Sequence, residues 1–235
     1  MSPLLALKDS WGRVDVISTG IVDYGAGNLG NVVRALDWLE VDNRIISSRS
    51  DLSDLNRVNA LILPGVGSFG EGMRGLSRRG LKEPLKKAAA AGKPLLGICL
   101  GMQLLFSGSE EASGVEGLDF FSGYFRRFQP EKTGKIPHMG WNKMKFCDNE
   151  IDRFYSGEAA DPYFYFVHSY YMPAGQAGED LTLATCRYGE VEFVAAVTRD
   201  NITAVQPHPE KSGRAGLAFL KYFLEEANNE GDSGS

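Results

Sequence analysis

Pro94-Leu95-Leu96-Gly97-Ile98-Cys99-Leu100-Gly101-Met102-Gln103-Leu104-Leu105-Phe106 is the stretch on which the reading of this chain turns. Pro94 to Ile98 is a short, continuous apolar run, the pattern of a strand covered on both faces. Leu100 to Phe106 starts a helix directly behind it. One residue stands at the corner between them. Gly97-Ile98-Cys99-Leu100-Gly101 is therefore the cysteine form of a nucleophile elbow, G-x-C-x-G. The tight turn lifts the Cys99 side chain out of the sheet, and the flanking glycines relieve the crowding such a turn creates. The helix amino terminus behind Cys99 supplies partial positive charge and free N–H groups, which favour thiolate over thiol. The bland alternative is a buried cysteine in a buried strand.

Upstream, the same strand-then-helix rhythm repeats. Val14 to Val22 is β-rich and ends in the glycine turn Gly25 to Gly30. Leu29, Val32, Val33, Leu36 and Leu39 then form one stripe at helical spacing. Arg44 to Ser47 reads as a second strand, and Ala60 to Leu63 as a third, stopped by Pro64-Gly65. Glu71 to Ala91 reads as helix broken near Gly80. This alternation predicts an α/β fold: a doubly wound, mostly parallel central sheet with helices on both faces. Right-handed crossovers bring Gly25 to Gly30, Pro64 to Gly70 and Cys99 to one sheet edge, where ligands bind in open α/β sheets.

Downstream, Phe120 to Phe128, Lys143 to Phe146, Tyr163 to Tyr170, Leu181 to Arg187, Glu192 to Val197 and Ile202 to Gln206 read as strands, an antiparallel section separated by turns. A closing helix carries Leu217, Leu220, Phe223 and Leu224 as its stripe. The expected organisation is a flexible extension over 1–13, one domain over 14–227 and a polar tail over 228–235.

Composition narrows the function classes. With 235 residues, 43% of them hydrophobic and 23% charged, the chain is not disordered, collagenous or coiled coil. Its 25 basic and 30 acidic residues leave no electrostatic footprint for nucleic acid or anionic lipid. No apolar run approaches the roughly 20 residues that span a bilayer. The first ten residues carry no basic region ahead of an apolar one, so no secretory signal is expected. Cys99, Cys147 and Cys186 are odd in number and widely spaced, which predicts a reducing compartment, the cytoplasm.

A thiolate nucleophile needs a base, and the base needs an orienting group. The chain has three histidines: His138, His168 and His208. His208 lies in Gln206-Pro207-His208-Pro209-Glu210, with a carboxylate two residues on. Pro209 disfavours the helical region for His208, so the segment is expected to be extended, with His208 and Glu210 pointing the same way. Glu210 then reaches one imidazole nitrogen and leaves the other for Cys99. The alternative is a surface turn with a chance pair. A zinc site does not fit the wide spacing of the histidines and the lack of any Cys-x-x-Cys, so no metal and no cofactor is expected.

Acyl transfer also needs donors for an oxyanion. Pro64-Gly65-Val66-Gly67-Ser68 sits at the end of a strand, and glycines on both sides of Val66 let its N–H approach a ligand. The N–H of Leu100 is the natural second donor. Taken alone, the glycine loop also reads as a structural turn. Gly25-Ala26-Gly27-Asn28-Leu29-Gly30 matches the dinucleotide fingerprint, with Asp51 about twenty residues on. That reading leaves the cysteine elbow and the His-Pro-Glu segment unexplained.

These segments resemble a known family. Gly97-Ile98-Cys99-Leu100-Gly101-Met102-Gln103 together with His208-Pro209-Glu210-Lys211-Ser212 is similar to the class I (triad) glutamine amidotransferases. Asp23-Tyr24-Gly25-Ala26-Gly27-Asn28-Leu29, Pro64-Gly65-Val66-Gly67, Pro137-His138-Met139-Gly140-Trp141-Asn142 and Tyr165-Phe166-Val167-His168-Ser169-Tyr170 narrow the resemblance to the glutaminase subunits of imidazole glycerol phosphate synthase. It runs from about Val14 to Phe223. Two features depart from the family pattern: Pro207 stands where an aromatic residue is usual, and the extension before Val14 is longer. The resemblance implies Cys99 as nucleophile, His208 as proton carrier and Glu210 as its orienting group, with Val66 and Leu100 N–H groups at the oxyanion. It implies glutamine contacts from Gly67, Gln103, His168, Ser169 and Tyr170. It also implies a (β/α)8-barrel cyclase partner in a heterodimer, with Asn28, His138, Met139 and Trp141 at or near the docking face. Ammonia would pass to that cyclase, which forms imidazole glycerol phosphate and aminoimidazole carboxamide ribotide in histidine biosynthesis. Three other readings stand beside it: the glutaminase subunit of another amidotransferase, a free-standing cysteine hydrolase of the same fold, and a catalytically silent binding module.

Overall fold

The computed structural model describes residues 18–48, 55, 57–147, 162–178 and 180–232. The extension over 1–13, the start of the first predicted strand at Val14 and residue Asp51 lie outside these residues. Five strands, β1 (Ser18–Val22), β2 (Asp42–Ile46), β3 (Ala60–Leu63), β4 (Leu95–Ile98) and, late in the chain, β13 (Ile202–Val205), run parallel. β12 (Val191–Arg199) and β10 (Tyr170–Pro173) continue the sheet antiparallel, followed by β6 (Phe121–Arg127) and β5 (Phe106–Ser109). β11 (Thr182–Tyr188) pairs with β12 and with β8 (Lys145–Phe146), which completes an 11-stranded sheet in the order β2-β1-β3-β4-β13-β12-β10-β6-β5. The expected mostly parallel centre with an antiparallel section is what the chain forms.

The helices divide between the two faces, as side-chain alternation along each strand requires. Ile21, Ile62, Leu96 and Ile98 point to one face. There they pack with Val32 and Leu36 of the helix Leu29–Trp38 and with Phe219, Leu220, Phe223 and Leu224 of the closing helix Gly213–Asp232. Val22, Leu61, Leu63 and Leu95 point to the other. They meet Phe69, Met73 and Leu76 of the helix Phe69–Arg78, Leu85 and Ala89 of Lys82–Ala90, and Leu100, Met102 and Leu104 of Leu100–Leu105. Each of these large side chains contributes on the order of 1.5–3 kcal/mol by leaving water.

Several elements differ from the sequence reading. The helix after Cys99 ends at Leu105, and Phe106–Ser109 is strand. A continuous apolar run does not distinguish helix from strand, and here β6 captures Phe106 onward. The predicted strand Tyr163 to Tyr170 divides at Ser169 into β9 (Tyr163–His168) and β10. β9 leaves the main sheet and pairs with β7 (His138–Lys143) in a separate antiparallel ribbon. β7 lacks a strand signal in the sequence, because Pro137 and Gly140 punctuate it. No helix among the described residues is long and apolar enough to cross a membrane.

Candidate active site

Cys99 is the corner residue between β4 and the helix Leu100–Leu105, with φ 54 and ψ −105. Few residues with a Cβ adopt this conformation, and the surroundings enforce it. The Cys99 N–H donates to the Val205 carbonyl on β13 at 2.8 Å. A Cβ on Gly101 would lie 1.7 Å from the Leu63 carbonyl oxygen, and one on Gly97 would lie 2.6 Å from the Leu105 side chain. The glycines around the cysteine are thus steric requirements of the elbow. The Cys99 residue is only 4% exposed. Its Sγ lies 4.0 Å from the Val167 carbonyl of β9 and receives the Gln206 side-chain N–H at 3.6 Å.

His208 follows β13, the strand hydrogen-bonded to β4, so neighbouring parallel strands deliver both residues to the same edge. Its Nδ1 lies 2.7 Å from Glu210 Oε1, and both side chains are fully enclosed. The pairing is the expected one, but the backbone is not extended throughout. His208 is extended at φ −104, whereas Pro209–Lys211 form a 3-10 turn, and that turn carries the carboxylate back to the ring. Nε2 is buried without a hydrogen-bond partner among the described residues. Burial alone would lower the His208 pKa; the charge of the nearby Cys99 sulfur and the Glu210 carboxylate outweigh it and raise the value to about 10. The His208 N–H also donates to the Tyr165 carbonyl at 2.8 Å. Ser212 Oγ donates to the His208 carbonyl at 2.6 Å and accepts the Tyr165 N–H at 2.9 Å. The histidine loop is thereby stapled to β9.

Asn28, expected at or near a docking face, directs its side chain toward the predicted triad. It adopts the left-handed region at φ 82, and its Nδ2 donates to Glu210 Oε1 at 2.5 Å and lies 3.3 Å from His208 Nδ1. The fingerprint-like glycine loop thus positions a side chain against Glu210.

The two expected oxyanion donors belong to one local arrangement. The Leu100 N–H donates to the Gly65 carbonyl at 3.3 Å. A trans peptide points its C=O and N–H in opposite directions, so the Val66 N–H, in the same peptide unit as the Gly65 carbonyl, faces away from Leu100. In this conformation the Leu100 N–H is taken by the Gly65 carbonyl and the Val66 N–H of the same peptide points the other way. A cleft of about 450 Å³ lies beside it, lined by Tyr24, Ala26, Val66, Gly67 and Leu100 among others. Gly67 sits at φ 124, in the region that favours glycine, and nothing lies within 4 Å of where its Cβ would stand, so it supplies backbone freedom.

The remaining predicted residues fall into two groups. Gln103 is buried and donates to Gln206 Oε1 at 3.2 Å, completing a Gln103-Gln206-Cys99 chain. The His168 ring is buried and uses both nitrogens: Nδ1 is 2.8 Å from the Tyr170 carbonyl and Nε2 is 3.1 Å from His138 Nδ1. Its imidazole is committed to the core, and the contact of this segment with Cys99 is made by the Val167 carbonyl. Ser169 and Tyr170 are half-buried, and the Ser169 carbonyl accepts the Phe128 N–H at 3.0 Å.

His138, expected at or near the docking face, is not itself a surface residue. It is 3% exposed, stacks between Phe166 and Tyr188, and has its pKa lowered to about 4 by burial. The reason is strand alternation: His138 faces inward, whereas Met139 and Trp141 face out, at 62% and 55% exposure. Across the ribbon Met139 is opposite Val167 and Trp141 opposite Tyr165. Lys143 and Lys211 lie over the Tyr163 and Tyr165 rings at 5.7 and 5.9 Å. Gln206, Tyr165 and Ser212 join the site without a sequence expectation to that effect. For Gln206 a signal exists: a polar residue directly after a buried strand and two positions before His208.

Comparison with known proteins agrees with this geometry. Residues 20–227 match the family Glutamine amidotransferase class-I. The chain is 45% identical over 205 residues to the imidazole glycerol phosphate synthase subunit HisH of Methanothermobacter thermautotrophicus, covering 87% of this chain and 96% of that one. It is 44% identical to the subunit of the same name from Deinococcus radiodurans, covering 88% and 92%. A longer protein of Emericella nidulans, imidazole glycerol phosphate synthase hisHF, is 41% identical over 88% of this chain and 38% of its own length. Among solved structures, a glutamine amidotransferase superposes with a TM-score of 0.68 at 19% identity, covering 89% of this chain and 98% of that one. PurLQS from Thermotoga maritima gives 0.67 at 19% identity, covering 90% and 99%. These two show likeness of fold.

Proposed function

The chain belongs to the class I glutamine amidotransferase family, and on that premise we propose that it is the glutaminase subunit of an imidazole glycerol phosphate synthase in histidine biosynthesis. The Cys99 sulfur attacks the side-chain amide carbon of glutamine. The tetrahedral oxyanion is held by the N–H groups of Val66 and Leu100. As the C–N bond breaks, His208 gives its proton to the departing ammonia, leaving a γ-glutamyl thioester on Cys99. Water then adds to the thioester with His208 taking its proton, and glutamate leaves as the sulfur is released. Glu210, steadied by Asn28, holds the imidazole in place and stabilises its charged form. Gly67, Gln103 and the backbone of 168–170 border the glutamine. Ammonia passes to a (β/α)8-barrel cyclase in a heterodimer, docked on the outer face of the β7–β9 ribbon at Met139 and Trp141. Cysteine usage supports a cytoplasmic enzyme.

The observation that carries this reading is the convergence of a strained cysteine elbow and an enclosed His208–Glu210 pair at 2.7 Å from adjacent parallel strands. Two features of the same site support dependence on the partner: the sulfur is nearly closed off, and the Leu100 N–H is occupied by Gly65. Glutamate release is the test. The isolated chain is expected to turn over glutamine slowly, with a rise of about a hundredfold or more, the worth of oxyanion donors, once the cyclase and its nucleotide substrate are added. Cys99→Ala should abolish both activities. A fully active isolated chain would favour the free-standing hydrolase, and turnover by the alanine variant would remove the mechanism.

A further inference from the structure

Tyr24 stands just beyond the carboxyl end of β1 and is 3% exposed. It lies against the glycine face of the helix Phe69–Arg78: a Cβ on Gly72 would meet its ring at 3.4 Å, and one on Gly75 would meet its carbonyl oxygen at 2.1 Å. The tip of the side chain comes to Gly65, where a Cβ would lie 1.9 Å from the phenolic oxygen. That oxygen is shut off from solvent and has no hydrogen-bond partner among the described residues. A buried hydroxyl left unpaired destabilises the fold relative to a phenylalanine of the same shape. An explanation for its presence is therefore required, and core packing alone does not supply one.

The neighbour it touches supplies the explanation. Gly65 carries the carbonyl that now occupies the Leu100 N–H at 3.3 Å. Freeing the two oxyanion donors means turning that peptide over, and the carbonyl then gives up the Leu100 N–H as its donor. We propose that Tyr24 is a positioning residue for glutamine hydrolysis: its phenol donates to the Gly65 carbonyl when the Gly65–Val66 peptide turns, and so holds the oxyanion site in its assembled form. The inference rests on the glutaminase reading above. Burial pushes the phenol pKa well above the ordinary tyrosine value, so the group remains a donor at any working pH. Glycine at 65 admits the phenol and allows the rotation, and the adjoining cleft of about 450 Å³ gives the turning peptide room. The peptide thus has one acceptor atom and two competing donors: Leu100 in the resting arrangement, Tyr24 in the working one.

Tyr24→Phe tests this in the reconstituted complex with the cyclase and its nucleotide substrate, reading glutamate release. The expected result is a fall of about tenfold in stimulated kcat, the share of one hydrogen bond in an oxyanion site. KM for glutamine should stay within about twofold, and the melting temperature of the isolated chain should be unchanged or higher, because the resting hydroxyl has no partner to lose. An undiminished stimulated kcat would overturn the proposal. So would a lowered melting temperature, which would mean the hydroxyl is already bonded at rest, or a kcat loss matched by a rise in KM. Failure of the underlying reading looks different: a wild-type complex that releases no glutamate, or a Cys99→Ala complex that does.

Discussion

At the residue scale the site depends on three side chains held by different means. Cys99 is fixed by its backbone, His208 by a staple to Tyr165 and Ser212, and Glu210 by a one-turn 3-10 segment that brings it to the ring. Glu210→Gln keeps an oxygen able to accept from both His208 Nδ1 and Asn28 Nδ2, but loses the charge and turns the other oxygen into an NH2. His208→Ala removes the proton carrier itself. Glutamate-release assays are therefore expected to find the glutamine variant about 10- to 100-fold more active than the alanine variant, with both far below wild type. The identities of these residues are legible in the sequence because each chemistry needs its residue type in a recognisable frame: glycines around a corner cysteine, prolines around a histidine. Their full contacts are not. Asn28 and Gln206 join the site through hydrogen bonds that span 182 and 107 positions of sequence, and no local pattern encodes such a meeting. The contact between Tyr24 and Gly65 is of the same kind.

At the scale of the element, the β7–β9 ribbon carries the docking face proposed above. Its inner residues His138, Phe164, Phe166 and His168 are buried, while Met139, Trp141 and Tyr163 are exposed residues of the opposite face. Trp141 meets Tyr165 edge to face with ring centroids 6.1 Å apart, which gives the surface one aromatic anchor. Trp141→Ala is expected to weaken binding of the cyclase by about ten- to thirtyfold, the loss of a central aromatic contact, with little change in melting temperature. Titration calorimetry against the cyclase reads the first and thermal denaturation the second; full affinity would move the docking face elsewhere. Parallel strands and their crossover helices are legible from apolar runs and stripes. The ribbon is half legible: Tyr163 to His168 carries strong β propensity, but Pro137 and Gly140 hide the partner strand, and its pairing is decided by the tertiary packing of His138 against Phe166 and Tyr188.

For the whole molecule, the three histidines set opposing pH responses. Burial lowers His138 to about 4 and His168 to about 3, so both are neutral in the fold near pH 7. Unfolding lets them take up protons, and stability falls as pH drops below the ordinary histidine value of about 6.5, with the loss complete only below about 3. His208 is raised to about 10, so its contribution is full below about 6.5 and declines as pH rises toward 10. Urea unfolding across pH is expected to show greatest stability near pH 6.5 as far as these groups act, with the alkaline decline flattened in Cys99→Ala, which removes the charge that raises His208. An alkaline limb identical in that variant would contradict the coupling. The α/β plan is legible from alternation along the chain; the long extension beyond β13 is legible as strands except for β5, and not as an order, because β10, β6 and β5 find their places through contacts far apart in sequence. One strand has an outcome that reaches beyond this chain. β9 offers Tyr165 and Val167 to the outside, anchors the His208 loop through the Tyr165 backbone and sets the Val167 carbonyl 4.0 Å from the sulfur. If the cyclase docks on this face as proposed, grip on a neighbour and speed of chemistry draw on the same six residues, and a substitution in β9 is expected to alter both.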